Sequence, residues 1–215
     1  MFFCPFENYY REDPPYSYIR LLHASPKTPA VDVYLNGKKI ADNLYYENFT
    51  EFDKLNSGTY NIKLFAHGNI SQPLLNKNLF VPYGKILTIA AIGTNPNVSL
   101  FPINEPIGPL MRNKSLLRLV HLSPNSPKVN LVVKNTGSKL FQGVSYKEVT
   151  DYVPLNPSTY NFEVTSTSTN EAVLYVPNMR LLGDRFYSFY VIGLLGGEPP
   201  IMALLPLDGN SYIKF

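Results

Sequence analysis

YIRLLHASPKTPAVDVYL (residues 18–35) and LLRLVHLSPNSPKVNLVV (residues 116–133) decide how this chain is built. Laid one on the other, Arg20 meets Arg118, His23 meets His121, Ser25 meets Ser123, and Pro26 and Pro29 meet Pro124 and Pro127. Val31 falls on Val129 and Asp32 on Asn130. The register continues outward. YYENFTEFDKLNSGTYN (residues 45–61) matches SYKEVTDYVPLNPSTYN (residues 145–161), LFVP (79–82) answers LYVP (174–177), and KILTIAAIG, ending at Gly93, answers RFYSFYVIG, ending at Gly193. Matches this dense at one nearly constant offset mark a duplication. The period is too long for a solenoid unit and is the size of a small domain. The reading is an aromatic, Pro-rich arm over residues 1–17, a first repeat over 18–105, a linker over 106–114 where Pro, Gly and Asn cluster, and a second repeat over 115–215.

Inside each copy the apolar spacing favours strands. In VDVYL, Val31, Val33 and Leu35 share one face while Asp32 and Tyr34 share the other. Asn36-Gly37 follows, a hairpin signal because both central residues of a type I′ turn need positive φ. TYNIKLFA (59–66) and STYNFEVTSTST (158–169) alternate in the same way, and KILTIAAIG is a nearly unbroken apolar run that suits a strand buried on both faces. No window carries a sustained helical stripe with a capping box. Six to eight short strands per copy read as an all-β sandwich, with a closed barrel as the alternative. A cleft between two such sandwiches would be a natural ligand site.

Composition narrows the function classes. A net charge of +3 with scattered Lys and Arg gives no basic run to track a phosphate backbone, so no nucleic-acid partner is expected. Cys4 is the single cysteine, which excludes an intramolecular disulfide and a Cys-based metal site within one chain. No segment reaches the length of an apolar membrane helix, and no basic, apolar leader opens the chain. The expectation is a cytoplasmic protein or one assembled into a spore or cell-envelope layer. No cofactor motif is present.

The residues RLLHASPKTPAVDVYLNGKKI, followed by LNSGTYNIKLF, resemble the bacterial domain-of-unknown-function family numbered 4397. Its members open with an Arg/Val-rich strand, a His-Ala-Ser-Pro element, an Ala-Val-Asp-Val-Tyr strand and an Asn-Gly turn, with a Gly-Thr-Tyr strand later. The likeness covers residues 18–102 and again 116–206. The second copy departs from it at Leu122, at Asn130, and at Asn135-Thr136-Gly137 in place of the Asn-Gly turn. The resemblance implies an immunoglobulin-like or transthyretin-like β-sandwich, frequently duplicated and often found on secreted or surface proteins, with no established activity attached.

The candidate site residues are few. His23, Ser25 and Asp32 are the one cluster with the residue types of a nucleophilic triad, and Asn130 removes the carboxylate from the second copy. His23 and His121 occupy matched positions, so one metal could bridge two facing sandwiches if a further ligand joined them. The alternative is structural. Ser25 and Ser123 precede Pro and can bond backbone groups, the imidazoles can satisfy buried carbonyls, and Arg20 can pair with Asp32 across adjacent strands. Tyr9, Tyr10 and Tyr16 have no counterpart in the second copy and are interaction candidates, whereas Tyr46 and Tyr146, or Tyr60 and Tyr160, match and read as core or corner residues. Together these features describe a non-enzymatic binding or structural module with a protein or glycan partner, able to self-associate. The rivals are a carbohydrate-binding module and a metal-binding or hydrolytic protein using the paired His-x-Ser-Pro elements.

Overall fold

The computed structural model describes residues 15–215; the candidates Cys4, Tyr9 and Tyr10 lie outside them. The first copy contributes β1 (Tyr16–His23), β2 (Val31–Leu35), β3 (Lys38–Leu44), β4 (Asp53–Asn56), β5 (Gly58–Ala66), β6 (Leu75–Val81), β7 (Ile86–Ile92) and β8 (Ser99–Glu105). The second contributes β9 (Ser115–His121), β10 (Val129–Val133), β11 (Ser138–Val144), β12 (Val153–Leu155), β13 (Ser158–Ser166), β14 (Ala172–Leu181), β15 (Arg185–Ile192) and β16 (Met202–Leu204). A short 3-10 turn, Gly209–Ser211, follows. Strand pairing begins at Tyr16, opposite Asn56, so the segment read as an arm gives its last two residues to β1.

Each copy is a sandwich of two open four-stranded sheets. The first is ordered β4-β1-β7-β8 over β3-β2-β5-β6, and the second β12-β9-β15-β16 over β11-β10-β13-β14. β1 runs parallel to β7, and β9 parallel to β15, while their other neighbours are antiparallel. The first strand therefore pairs with the fourth and seventh rather than the second, the transthyretin-like arrangement of this sandwich class. The Asn36-Gly37 turn takes positive φ at both residues, 47° and 81°, as a type I′ hairpin requires. Tyr60 and Tyr160 each donate their hydroxyl to the carbonyl four residues back, Asn56 and Asn156, at 2.8 Å.

Period-2 alternation explains why the inner strands are apolar on both faces. On β1 and β7, Ile19, Leu21, Leu87, Ile89 and Ala91 pack inside the first sandwich, against Val31, Val33, Ile62 and Leu64. The opposite faces of the same strands present Leu22, Ala90 and Ile92 to Val120, Leu122, Tyr190 and Ile192 of the second copy, with Ile103 beside them. β9 and β15 do likewise, turning Leu117, Leu119, Tyr187 and Phe189 to their own core. The molecule is thus four layers of sheet, with the β4-β1-β7-β8 and β12-β9-β15-β16 sheets back to back in the middle. Apolar side chains from both copies pack together in the seam between these two sheets. Burying apolar surface on both faces is why β7 and β15 read as continuous apolar runs.

Candidate functional site

The His and Ser of both His-x-Ser-Pro elements are fully buried, and their hydrogen bonds close on themselves. Leaving β1, the Ser25 amide donates to Nδ1 of His23 (3.3 Å), so the proton sits on Nε2 and is donated to the Pro29 carbonyl (3.0 Å). The Ser25 hydroxyl donates to the Gly93 carbonyl (2.8 Å) and accepts from Thr28 Oγ1 (2.7 Å). The second copy repeats this with Ser123 N to His121 Nδ1 (3.3 Å), His121 Nε2 to Pro127 O (3.1 Å) and Ser123 Oγ to Gly193 O (2.7 Å). Both rings are 0% exposed, and burial holds both imidazoles below the ordinary histidine range. With each ring nitrogen committed to a partner in its own copy, neither has a lone pair to offer a shared metal.

Asp32 is elsewhere. β1 and β2 lie in different sheets, so the expected Arg20–Asp32 pair does not form, and Asp32 does not join His23 and Ser25. Its carboxylate faces outward from β2, accepting from the Asn43 amide (2.8 Å), Lys39 Nζ (2.9 Å) and His67 Nδ1 (2.8 Å). Burial pushes this carboxyl up, yet the Asn43 amide, the His67 ring and the Lys39 ammonium outweigh it and hold it well below the usual carboxylate range. Asp32, Asp42 and His67 bring ligand atoms within 4.8 Å of one another. Lys39 bonds both carboxylates, at 2.9 Å and 2.6 Å, and so already supplies a cation. At the matched places of the second copy stand Asn130, Gln142 and Thr167, and Asn130 accepts from Gly143 N (2.9 Å) and Thr167 Oγ1 (3.2 Å).

The residues the sequence reading missed sit in the seam. Arg20, on β1, donates through Nε to Thr88 Oγ1 (2.8 Å), through Nη1 to the Leu207 carbonyl of the second copy (3.0 Å) and through Nη2 to Glu105 Oε1 (3.1 Å). Its Nη2 lies 3.7 Å from Asp208 Oδ1. Arg118, on β9, mirrors it: Nε donates to Ser188 Oγ (2.7 Å), Nη1 to the Asn104 carbonyl of the first copy (2.8 Å), and Nη2 lies 3.7 Å from Asp208 Oδ2. Glu105 also accepts from Thr88 Oγ1 (2.6 Å) and from the Gly209 amide (2.6 Å), and Asp208 from Ser188 Oγ (2.8 Å) and the Tyr152 hydroxyl. Arg20 stacks on Phe49 and Phe52, with the guanidinium carbon 4.7 Å and 4.6 Å from their ring centres, and Arg118 stacks on Tyr152 at 4.8 Å. Two arginines and two carboxyls are buried together, both carboxyls 0% exposed. Burial and the neighbouring Asp208 push the Glu105 carboxyl up against the pull of Arg20, and burial pushes the Tyr190 hydroxyl up to about 12. The sequence signal was an Arg inside each apolar run, IRLL and LRLV, and one acidic residue at the end of each copy's last strand region, in PINEPI and PLDGN.

Tyr16, an interaction candidate, is half-buried and meets the C-terminal Phe215 ring at 6.0 Å. Tyr46 and Tyr146 lie in the seam, edge-on to His23 and His121 with centroids 5.9 Å and 6.4 Å apart.

Comparison with known proteins fits the duplication. A family model described as "Domain of unknown function (DUF4397)" matches residues 17–132 and residues 115–212. No curated protein matches the chain. Among solved structures, CBMbc (family CBM26) from Eubacterium rectale Amy13K in complex with maltoheptaose is similar at 10% identity, over 89% of this chain and 95% of that one, with a TM-score of 0.26. A superposition at that level carries no argument about function. Among the described residues no helix is long and apolar enough to cross a membrane.

Proposed function

The chain belongs to the DUF4397 domain family, and on that footing we propose that it is a non-enzymatic binding or structural module of a bacterial cell-envelope or spore-type assembly. Its two copies act as one body that offers its outer sheets to a protein or glycan partner. The observation that carries this reading is the use made of the chemically capable residues. His23, Ser25, His121, Ser123, Arg20, Arg118, Glu105 and Asp208 are all buried, and each is hydrogen-bonded or ion-paired within the protein. A general base needs an accessible lone pair near the substrate proton, and a serine nucleophile needs a base on its hydroxyl; here that hydroxyl goes to a backbone carbonyl.

A glycan partner is favoured by the outward face of the β3-β2-β5-β6 sheet. Tyr34 and Phe65 pack edge to face at 5.4 Å, Phe80 is 64% exposed, and Asn61 donates to Asn76 (2.8 Å) and Asn78 (3.3 Å) in a row of amides beside them. Rings flanked by amides can stack on sugar faces and bond hydroxyls.

Co-sedimentation with purified peptidoglycan, spore-coat material and insoluble polysaccharides tests both parts. Retention on one of these that falls in Phe80→Ser and Tyr34→Ala, with the fold intact, is the expected result. Turnover of an ester or peptide substrate that His23→Gln abolishes without unfolding the protein would overturn the non-enzymatic reading.

A further inference from the structure

An open sheet ends in edge strands whose outer backbone groups lack partners, and among the described residues seven of the eight edges are guarded. β8, β12 and β14 carry Pro102, Pro154 and Pro177. β3 and β11 have broken registers, with positive φ at Asn43 and Gly143. β4 and β16 run only four and three residues. β6 has none of these devices: its register on β5 is unbroken from Leu75 to Val81, without proline or positive φ.

Which backbone groups β6 leaves open follows from its neighbours. The Asn36 amide donates to the Asn61 carbonyl and the His67 amide to the Ala30 carbonyl, both at 2.8 Å. The odd-numbered residues of β5 therefore bond β2, and the even-numbered ones bond β6. Those even residues, Gly58, Tyr60, Ile62 and Leu64, lie opposite Val81, Leu79, Lys77 and Leu75. The N–H and C=O groups of Asn76, Asn78 and Phe80 are thus directed out of the sheet. The same edge carries exposed apolar side chains. Phe80 is 64% exposed, and Ile70 and Tyr83, in the connections before and after the strand, are 67% and 57% exposed.

We propose that β6 pairs antiparallel with β6 of a second molecule of this chain, about a twofold axis at Asn78. The two Asn78 residues exchange both backbone bonds, and Asn76 of each molecule does the same with Phe80 of the other. The neighbouring registers are blocked. An axis at Lys77 would set two ammonium groups directly opposite each other, and an axis at Leu79 would set Asn76 opposite Pro82, which has no N–H. With the axis at Asn78, Lys77, the one charge on the strand, faces Leu79 of the second molecule. Antiparallel pairing also brings the Ile70 end of each strand toward the Tyr83 end of its mate. The far edge of each sheet is the irregular β3, so the product is a closed pair and not a fibre. The two outer sheets become one, with four strands from each molecule, and its outward face of rings and amides doubles in extent.

The test is sedimentation equilibrium of the full chain with thiol reductant present, over roughly 5–500 μM, the range suited to a small strand-edge contact. A reversible monomer–dimer equilibrium with no larger species is expected. Asn78→Pro removes an outward N–H and leaves the ladder to β5 intact. It should keep the natural circular dichroism spectrum and pair about tenfold more weakly or worse. Asn78→Lys and Asn78→Asp, each alone, place like charges across the axis and should be monomeric, whereas an equal mixture of the two should form a heterodimer. A natural chain that stays monomeric throughout the range would overturn the proposal. So would a dimer that Asn78→Pro leaves unchanged, or a mixture of the charged variants that fails to pair. The readout is mass and involves no glycan, so failure of the pairing leaves the glycan reading standing, and the reverse holds too.

Discussion

Arg20 and Arg118 clasp the two copies reciprocally: Arg20 donates to the Leu207 carbonyl at 3.0 Å, and Arg118 to the Asn104 carbonyl at 2.8 Å. Each guanidinium starts on the first strand of its own sandwich and ends on the backbone of the other. Each is anchored at home by a hydroxyl at matched places of β7 and β15, Thr88 or Ser188. This near-twofold arrangement turns two sandwiches into one four-layered body.

Removing one arginine leaves buried carboxyls without their partner. Arg20→Met is expected to destabilise the protein by about 3–5 kcal/mol, the usual cost of breaking a buried ion pair from one side. Replacing Arg20 and Glu105 together by apolar residues of similar volume should recover most of that loss. Denaturant titration of the single and double variants reads both. Arg20→Lys should also be costly, because one ammonium cannot reach Thr88, Leu207 and Glu105 at once.

The buried imidazoles make stability depend on pH. Both folded-state values lie below the unfolded one of about 6.5. Their contribution is therefore complete above that pH and is lost as pH falls below it toward the folded value. Glu105 has the opposite sign, since its folded value is raised: its contribution is present below the unfolded carboxylate value and is lost as pH rises through the folded one. Equilibrium unfolding across pH 5–8 (about that window) should show the acid-side loss shrinking in His121→Gln. The stability gap between the natural chain and Glu105→Gln should narrow as pH rises.

How much was legible follows from the range over which each signal acts. Strands and hairpins are local, and the alternation in VDVYL and the Asn36-Gly37 turn carried them. The duplication was legible because its two halves could be compared residue by residue. The seam was not, because nothing local says which sheet a strand enters. Arg20 and Asp32 are close in sequence, yet β1 and β2 part into different sheets, and the partners of Arg20, Glu105 and Asp208, come from the ends of the two copies. KILTIAAIG did announce a strand buried on both faces, and the second burying face proved to be the other copy. What His23 and Ser25 do is visible only in the geometry: each bonds backbone at a strand end.

Gly93 and Gly193 tie those elements down and should tolerate no side chain. Both have positive φ, 85° and 86°, and a Cβ would fall 2.4 Å from the Asn97 carbonyl oxygen and 2.0 Å from that of Pro200. Gly193→Ala should cost upwards of about 2 kcal/mol, from the backbone conformation and the collision together. Gly37→Ala, with positive φ and open space, should cost only about 1 kcal/mol. Thermal unfolding of the two variants side by side gives the contrast.

The copies should respond differently to exchange at one matched position. Asn130→Asp places a charge in a buried site lined by Thr165 and Thr167, where Thr167 stands in place of His67 and Lys139, the counterpart of Lys39, bonds Asn170 instead. It should destabilise by roughly 1–3 kcal/mol or shift its own protonation to avoid the charge.

Differential scanning calorimetry of the full chain tests most directly whether the two copies are one body. A single transition, with calorimetric and van't Hoff enthalpies equal, is the predicted result, and Arg118→Met should lower its midpoint as a whole. Two resolved transitions in the natural chain, with Arg118→Met moving only the one belonging to the second copy, would contradict the account.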